Sequence, residues 1–146
     1  MKSMLVIGVL AAIALASGCG TSEPRGEVSS YEPGQVWKYK TRPGEPDSRI
    51  TILKVDNESD GAITVHIRID EVHIRNPHAP TGTNSFLPHA PIEKSALDRS
   101  VISLERTIAK LPDYTEGYQS WKDNQGGDFS VTVAEILDIV EVALDQ

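Results

Sequence analysis

The side chains best suited to chemistry in this chain are cations and imidazoles carried on strand-like runs. In "AITVHIRID", Ile63, Val65, Ile67 and Ile69 share one parity, while Thr64, His66 and Arg68 share the other. "VHIR" alternates again, with Val72 and Ile74 opposite in parity to His73 and Arg75. Successive strand side chains point to opposite faces, so each run sorts its cations away from its apolar residues. In "QVWKYKT", Lys38 and Lys40 are sorted in the same way from Trp37 and Tyr39. Lys38, Lys40, His66, Arg68, His73 and Arg75 would then share a basic sheet face, in a chain of formal charge −7. Such a face fits an anionic group: a lipid phosphate, a peptidoglycan carboxylate or an acidic patch on a protein partner. The alternative is a solvated face, or one neutralised by the chain's own acidic loops, because Lys, Arg and Thr are common on exposed strand positions.

Other chemistries find less support. His66 and His73 carry no H-x-x-x-H or H-E-x-x-H spacing, and Arg68 and Arg75 would oppose a dication, so no metal site is expected. No G-x-S-x-G elbow occurs, and Gly126-Gly127 lacks the following Lys-Ser/Thr of a phosphate loop. The carboxylates show no spacing that names a glycosidase pair. His89 suits a capping or loop-packing role better than that of a general base. Neither a catalytic set nor a cofactor is expected. The acidic balance excludes a general nucleic-acid binder, whose affinity comes from excess Lys and Arg.

The one cysteine, Cys19, excludes an internal disulfide framework and a multi-thiol zinc site. It follows a positive n-region (Lys2), an apolar run from Met4 to Ala16, and the small residues Ser17 and Gly18. Thirteen residues make about 20 Å of helix against a hydrocarbon core of about 30 Å, so a signal peptide is expected rather than a membrane span. Leu15-Ala16-Ser17-Gly18-Cys19 resembles the lipobox of bacterial lipoproteins, with Ala16 where Leu or Val is commonest. That resemblance implies a diacylglyceryl group on the Cys19 sulfur, cleavage before the cysteine, and acylation of the freed amine. It places the protein in the cell envelope, anchored in the membrane through Cys19. Gly20, rather than Asp, implies the outer membrane in a diderm host.

The elements that must position the body follow from local pattern. Residues 1–18 read as the signal peptide and 19–33 as a flexible tether, small, polar and proline-containing. Residues 34–146 read as a single α+β domain. Strands are expected in "QVWKYKT", "RITILKVDN", "AITVHIRID" and "VHIR", with a turn at "NESDG". Asp70-Glu71 would be a two-residue hairpin loop pairing Ile69 with Val72. "NPHAPTGTNSFLPHAP", with four prolines, would be an extended connection. Leu97, Val101, Leu104 and Ile108 recur at helical spacing before Pro112. Thr132 and Glu135 form a T-x-x-E capping box ahead of a C-terminal helix, whose outer arc carries Glu135, Asp138, Glu141 and Asp145. The expected architecture is an antiparallel meander of about four strands with two helices packed on its apolar face. Tyr118 and Trp121, three residues apart, suit core packing, an edge cap or a groove wall.

The body resembles small bacterial proteins sharing "PGQVWKYKTRPGE"-, "LPHAP"- and "EGYQSW"-like segments, a resemblance that implies no activity. The expected function is a lipid-anchored, non-enzymatic binding or interaction module of the bacterial envelope. A periplasmic inhibitor or immunity-type protein is the alternative. A cell-wall hydrolase would require a cleft near His89 or the aromatic residues.

Overall fold

The computed structural model describes residues 30–146, so Cys19, the signal peptide and most of the tether lie outside the described residues. Five strands form one antiparallel sheet: β1 (Gln35–Tyr39), β2 (Arg49–Asn57), β3 (Ile63–Arg75), β4 (Thr83–Glu93) and β5 (Val101–Thr107). Their order is β4-β3-β2-β1-β5, a four-strand meander with β5 returning to pair beside β1. Helices α1 (Lys94–Ser100) and α3 (Val133–Leu144) bury Ala96, Leu97, Val133, Ile136 and Leu137 against one sheet face. That face carries Trp37, Ile50, Ile52, Val65, Ile67, Ile69 and Ile92, which share a single core with the helices. The class is α+β, as the strand and helix patterns indicate, with α2 (Thr115–Asp123) as a third helix.

The alternation in β3 changes phase without a chain reversal. Glu71 adopts φ 56°, and the β3–β4 register shifts between Asp70 and Ile74. Over that stretch β3 advances four residues against two in β4, a bulged irregularity within one continuous strand across which parity changes. Ile69 and Val72 therefore both reach the core, the outcome expected of the hairpin, but they lie along one strand. Ile69 and Ile74, on either side of the irregularity, pair with Leu87 and Asn84 of β4, which occupies the second half of the segment expected to be a connection. Pro88 and Pro91 fit there because β4 is an edge strand, where a missing N–H donor leaves no ladder bond broken.

The helix expected through Leu97 to Ile108 is also shortened. α1 stops at Ser100, and the β-branched Val101 and Ile102 open β5. Ser100 Oγ donates to the Ala96 carbonyl at 2.9 Å and accepts from the Val133 N–H at 3.0 Å, tying the helix end to the start of α3. The capping box at α3 forms as the sequence indicates, with Thr132 and Glu135 bonded reciprocally. Core packing also begins before Gly34. Tyr31 is buried, sits edge-on to Trp37 with ring centroids 5.6 Å apart, and donates to Asp98 at 2.7 Å.

Candidate functional site

The sheet face opposite α1 and α3 carries the site. A register shift between Ile52 and Lys54 puts Lys54 opposite His66 and Asp56 opposite Thr64, all on this second face. β4 adds His89, and α2 adds Tyr118 and Trp121 from adjacent turns of one helix face. Asp56 Oδ2 lies 3.1 Å from His66 Nε2 and accepts from the Tyr118 hydroxyl at 2.9 Å, while Lys54 pairs with Oδ1. His66 Nδ1 meets His89 Nε2 at 2.9 Å, and the two imidazoles stack at 5.1 Å and 11°.

These contacts fix the direction of every proton. His66 is fully buried, and burial followed by the charge of Lys54 lowers its pKa to about 4. Burial, then the neighbouring His66, lowers His89 to about 4 as well. Both rings are therefore neutral at pH 7. An acceptor carboxylate requires the proton of His66 on Nε2. Its Nδ1 must then accept from His89 Nε2–H, which leaves the His89 Nδ1 lone pair at the end of the chain.

Two glycines allow α2 to close on this network. A Cβ at Gly117 would stand 2.8 Å from His89 Cβ, and one at Gly126 would stand 2.5 Å from Trp121 Cδ1. Past the helix end, Gln125 takes φ 48°, the Gly126 N–H donates to the Trp121 carbonyl at 2.8 Å, and Trp121 Nε1 donates to the Gly127 carbonyl at 3.2 Å. The indole is thus wrapped by the turn that follows its own helix. Tyr118 and Trp121 form a two-ring plate, with centroids 5.6 Å apart and planes tilted by 33°. His66 stands edge-on to both rings, 4.9 and 4.7 Å away.

The plate forms part of an open cleft of about 610 Å³ between the β2–β3 turn and α2. Several of its polar groups are already engaged: Asp56 at both oxygens, and Asp128 Oδ2 by the Thr64 hydroxyl at 2.8 Å. Asn57, Glu58, Lys122 and Gln125 also line it and offer amide, carboxylate and ammonium groups. The arrangement combines a rigid aromatic wall with a polar rim, suited to holding a small polar ligand in one orientation. A second cleft, of about 430 Å³, lies at the His89 end and is lined by Asp113, Tyr114 and Ser120 among others.

The six residues expected to share a basic face do not form one surface. His66 is interior, the clearest change from that expectation, because β4 and α2 cover its strand position. Lys38 lies 3.9 Å from Glu105, Lys40 donates to the Arg99 carbonyl, and Arg68 pairs with Asp70 at 2.8 Å above the Phe86 ring. His73 and Arg75 lie past the bulge, where their backbone N–H groups are capped by Glu45 and Glu141. Arg75 also reaches Asp145 at 3.2 Å. Arg42 draws Glu45, Asp138 and Glu141 together, so the acidic arc of α3 is partly a docking surface for the β1–β2 loop.

The Asp56–His66–His89–Tyr118 network has no local sequence signature. It depends on a strand register, an edge strand and a helix whose sequence spacing gives no hint of contact. Among the described residues no cluster of three His, Cys, Asp or Glu side chains fits a metal ion, and no helix is long and apolar enough to cross a membrane. Comparison with family models, with curated proteins and with solved structures finds no match to the chain.

Proposed function

We propose that this protein is a lipid-anchored binding module of the bacterial cell envelope, held by acylated Cys19 and engaging a polar ligand in the cleft beside Tyr118 and Trp121. The observation that supports binding is the construction of that cleft. Its aromatic wall is immobilised from behind by His66, His89 and Asp56, while the Asn57, Glu58 and Gln125 side chains at its rim make no hydrogen bond or ion pair among the described residues. The lipobox supports the anchor, and three acyl chains would hold the body at the membrane essentially permanently.

Both halves have direct tests. Cells expressing the chain and its Cys19→Ser variant are labelled with radioactive palmitate and fractionated. The parent should label and stay with membranes, and the variant should lose both properties; a labelled, membrane-held variant contradicts the anchor. For binding, the full chain in detergent micelles is incubated with solubilised envelope material, alongside Gln125→Ala and Lys122→Glu. Retention that weakens in both variants supports the cleft, and equal retention by all three forms refutes it.

A further inference from the structure

We infer that the cleft beside Tyr118 and Trp121 recognises a saccharide, an inference that rests on the binding reading above and names its ligand class. The choice follows from what the site can and cannot satisfy. An anionic ligand would meet Glu58, Asp60 and Asp128 around the rim, against Lys122 as the one cation in the lining among the described residues. Like charges in a partly desolvated cleft oppose such binding. A cationic ligand would find the Tyr118 ring already served. Lys54 Nζ lies 5.1 Å and Lys122 Nζ 5.7 Å from its centroid, within ordinary cation–π range. A purely apolar ligand would strand the carboxylates and amides that make up nearly half of the lining.

A pyranose meets each of these constraints. Its C–H face packs on a planar aromatic surface, and its hydroxyls both donate and accept. Trp121 lines the cleft and, among the described residues, has no cation over its ring, so its indole offers that surface, with the Tyr118 ring tilted by 33° beside it. Around it, Asn57 and Gln125 offer paired donor and acceptor groups, and Glu58 and Asp60 offer acceptors for hydroxyl protons. Asp60 Oδ1 is held by the Ala62 N–H at 3.0 Å, which fixes the orientation of its carboxylate on the turn. The wall does not reorganise on binding, because His66 and Asp56 hold the plate before any ligand arrives.

The chain has two tryptophans, which supply a reporter and its control. Trp121 lines the cleft, whereas Trp37 is buried in the main core with its Nε1 donating to Gln35 at 3.1 Å. The ¹⁵N-labelled full chain in detergent micelles is titrated with the N-acetylglucosamine tetramer, cellotetraose, maltotetraose and, separately, tetra-lysine. At least one saccharide should shift the Trp121 indole N–H saturably and leave that of Trp37 in place. Asn57→Ala and Gln125→Ala, both at exposed positions, should each weaken that saccharide about threefold to tenfold. Saturable shifts from tetra-lysine alone would overturn the inference in favour of a cationic peptide. No shift from any probe would overturn it too. If retention of envelope material still depended on Gln125, the binding reading would survive and only the ligand class would fall; if that dependence were also lost, both would fall.

Discussion

The stacked histidines make the fold acid-sensitive in a defined window. His66 and His89 are held neutral, with pKa values lowered from 6.5 to about 4, so the unfolded chain binds protons first as pH falls. Stability is full above pH 6.5, declines as pH drops from 6.5 towards 4, and loses nothing more from these two groups below that. For one such histidine, the linkage relation gives a loss of about 2 kcal/mol between roughly pH 7.5 and pH 5, approaching about 3 kcal/mol at lower pH. The carboxylates act in a different window. Burial opposes the ionisation of Glu45, but Arg42 and the His73 N–H outweigh it, and the Arg75 N–H and then Arg42 hold Glu141 low. Their stabilisation disappears only as pH falls below the ordinary carboxylate range, so the interval from pH 6.5 to 5 belongs to the imidazoles. Urea unfolding of residues 30–146, followed by tryptophan fluorescence at several pH values, measures the slope. His66→Gln should remove roughly half of it while keeping a donor for Asp56. A parent whose unfolding free energy is flat from pH 7 to 5, or a variant with an unchanged slope, refutes the buried neutral chain.

Three further outcomes follow from packing and charge. Arg42→Ala should cost about 3 kcal/mol, because Glu45 stays buried after losing its cation, and urea unfolding at pH 7 measures the loss. Gly117→Ala gains helix propensity of about 1 kcal/mol, yet its Cβ would press 2.8 Å from the His89 Cβ, a backbone-proximal atom that cannot swing aside. A net loss of about 1 kcal/mol is expected, together with a changed Trp121 indole resonance as α2 lifts. Thr132→Ala removes one half of the α3 capping box and should cost about 1 kcal/mol, read from the same denaturation curves.

How much of this was legible in sequence depends on how local each feature is. The α3 cap could be read from Thr132 and Glu135 because both partners lie within one turn. The apolar face of β3 is readable from β-branched alternation, whereas in β2 the alternation breaks at Ile52-Leu53, where the register with β3 shifts and both residues are buried. At Asp70-Glu71 the pattern changes phase, and either a hairpin or a bulge places Ile69 and Val72 in the core. Only the partner strand decides between them, and β4 was concealed by prolines that an edge position tolerates. Val101 and Leu104 fit a helical stripe with Leu97 but have opposite parity in a strand, so it is pairing with β1 that selects the strand. His66 looked like one more outward cation because parity gives the face and says nothing about what covers it. Its burial comes from α2 and β4, through contacts with Tyr118, Trp121 and His89 that span dozens of residues.

The central claim, that the cleft is where this protein meets the envelope, is tested most directly inside the cell. A photo-crosslinking amino acid is placed at Gln125 on the cleft rim and, as a control, at the exposed Ile102 on β5. Irradiation should join position 125 to an envelope component, lost when purified ligand competes, and leave position 102 without that product. Equal products from both positions, or none from position 125, would contradict the account.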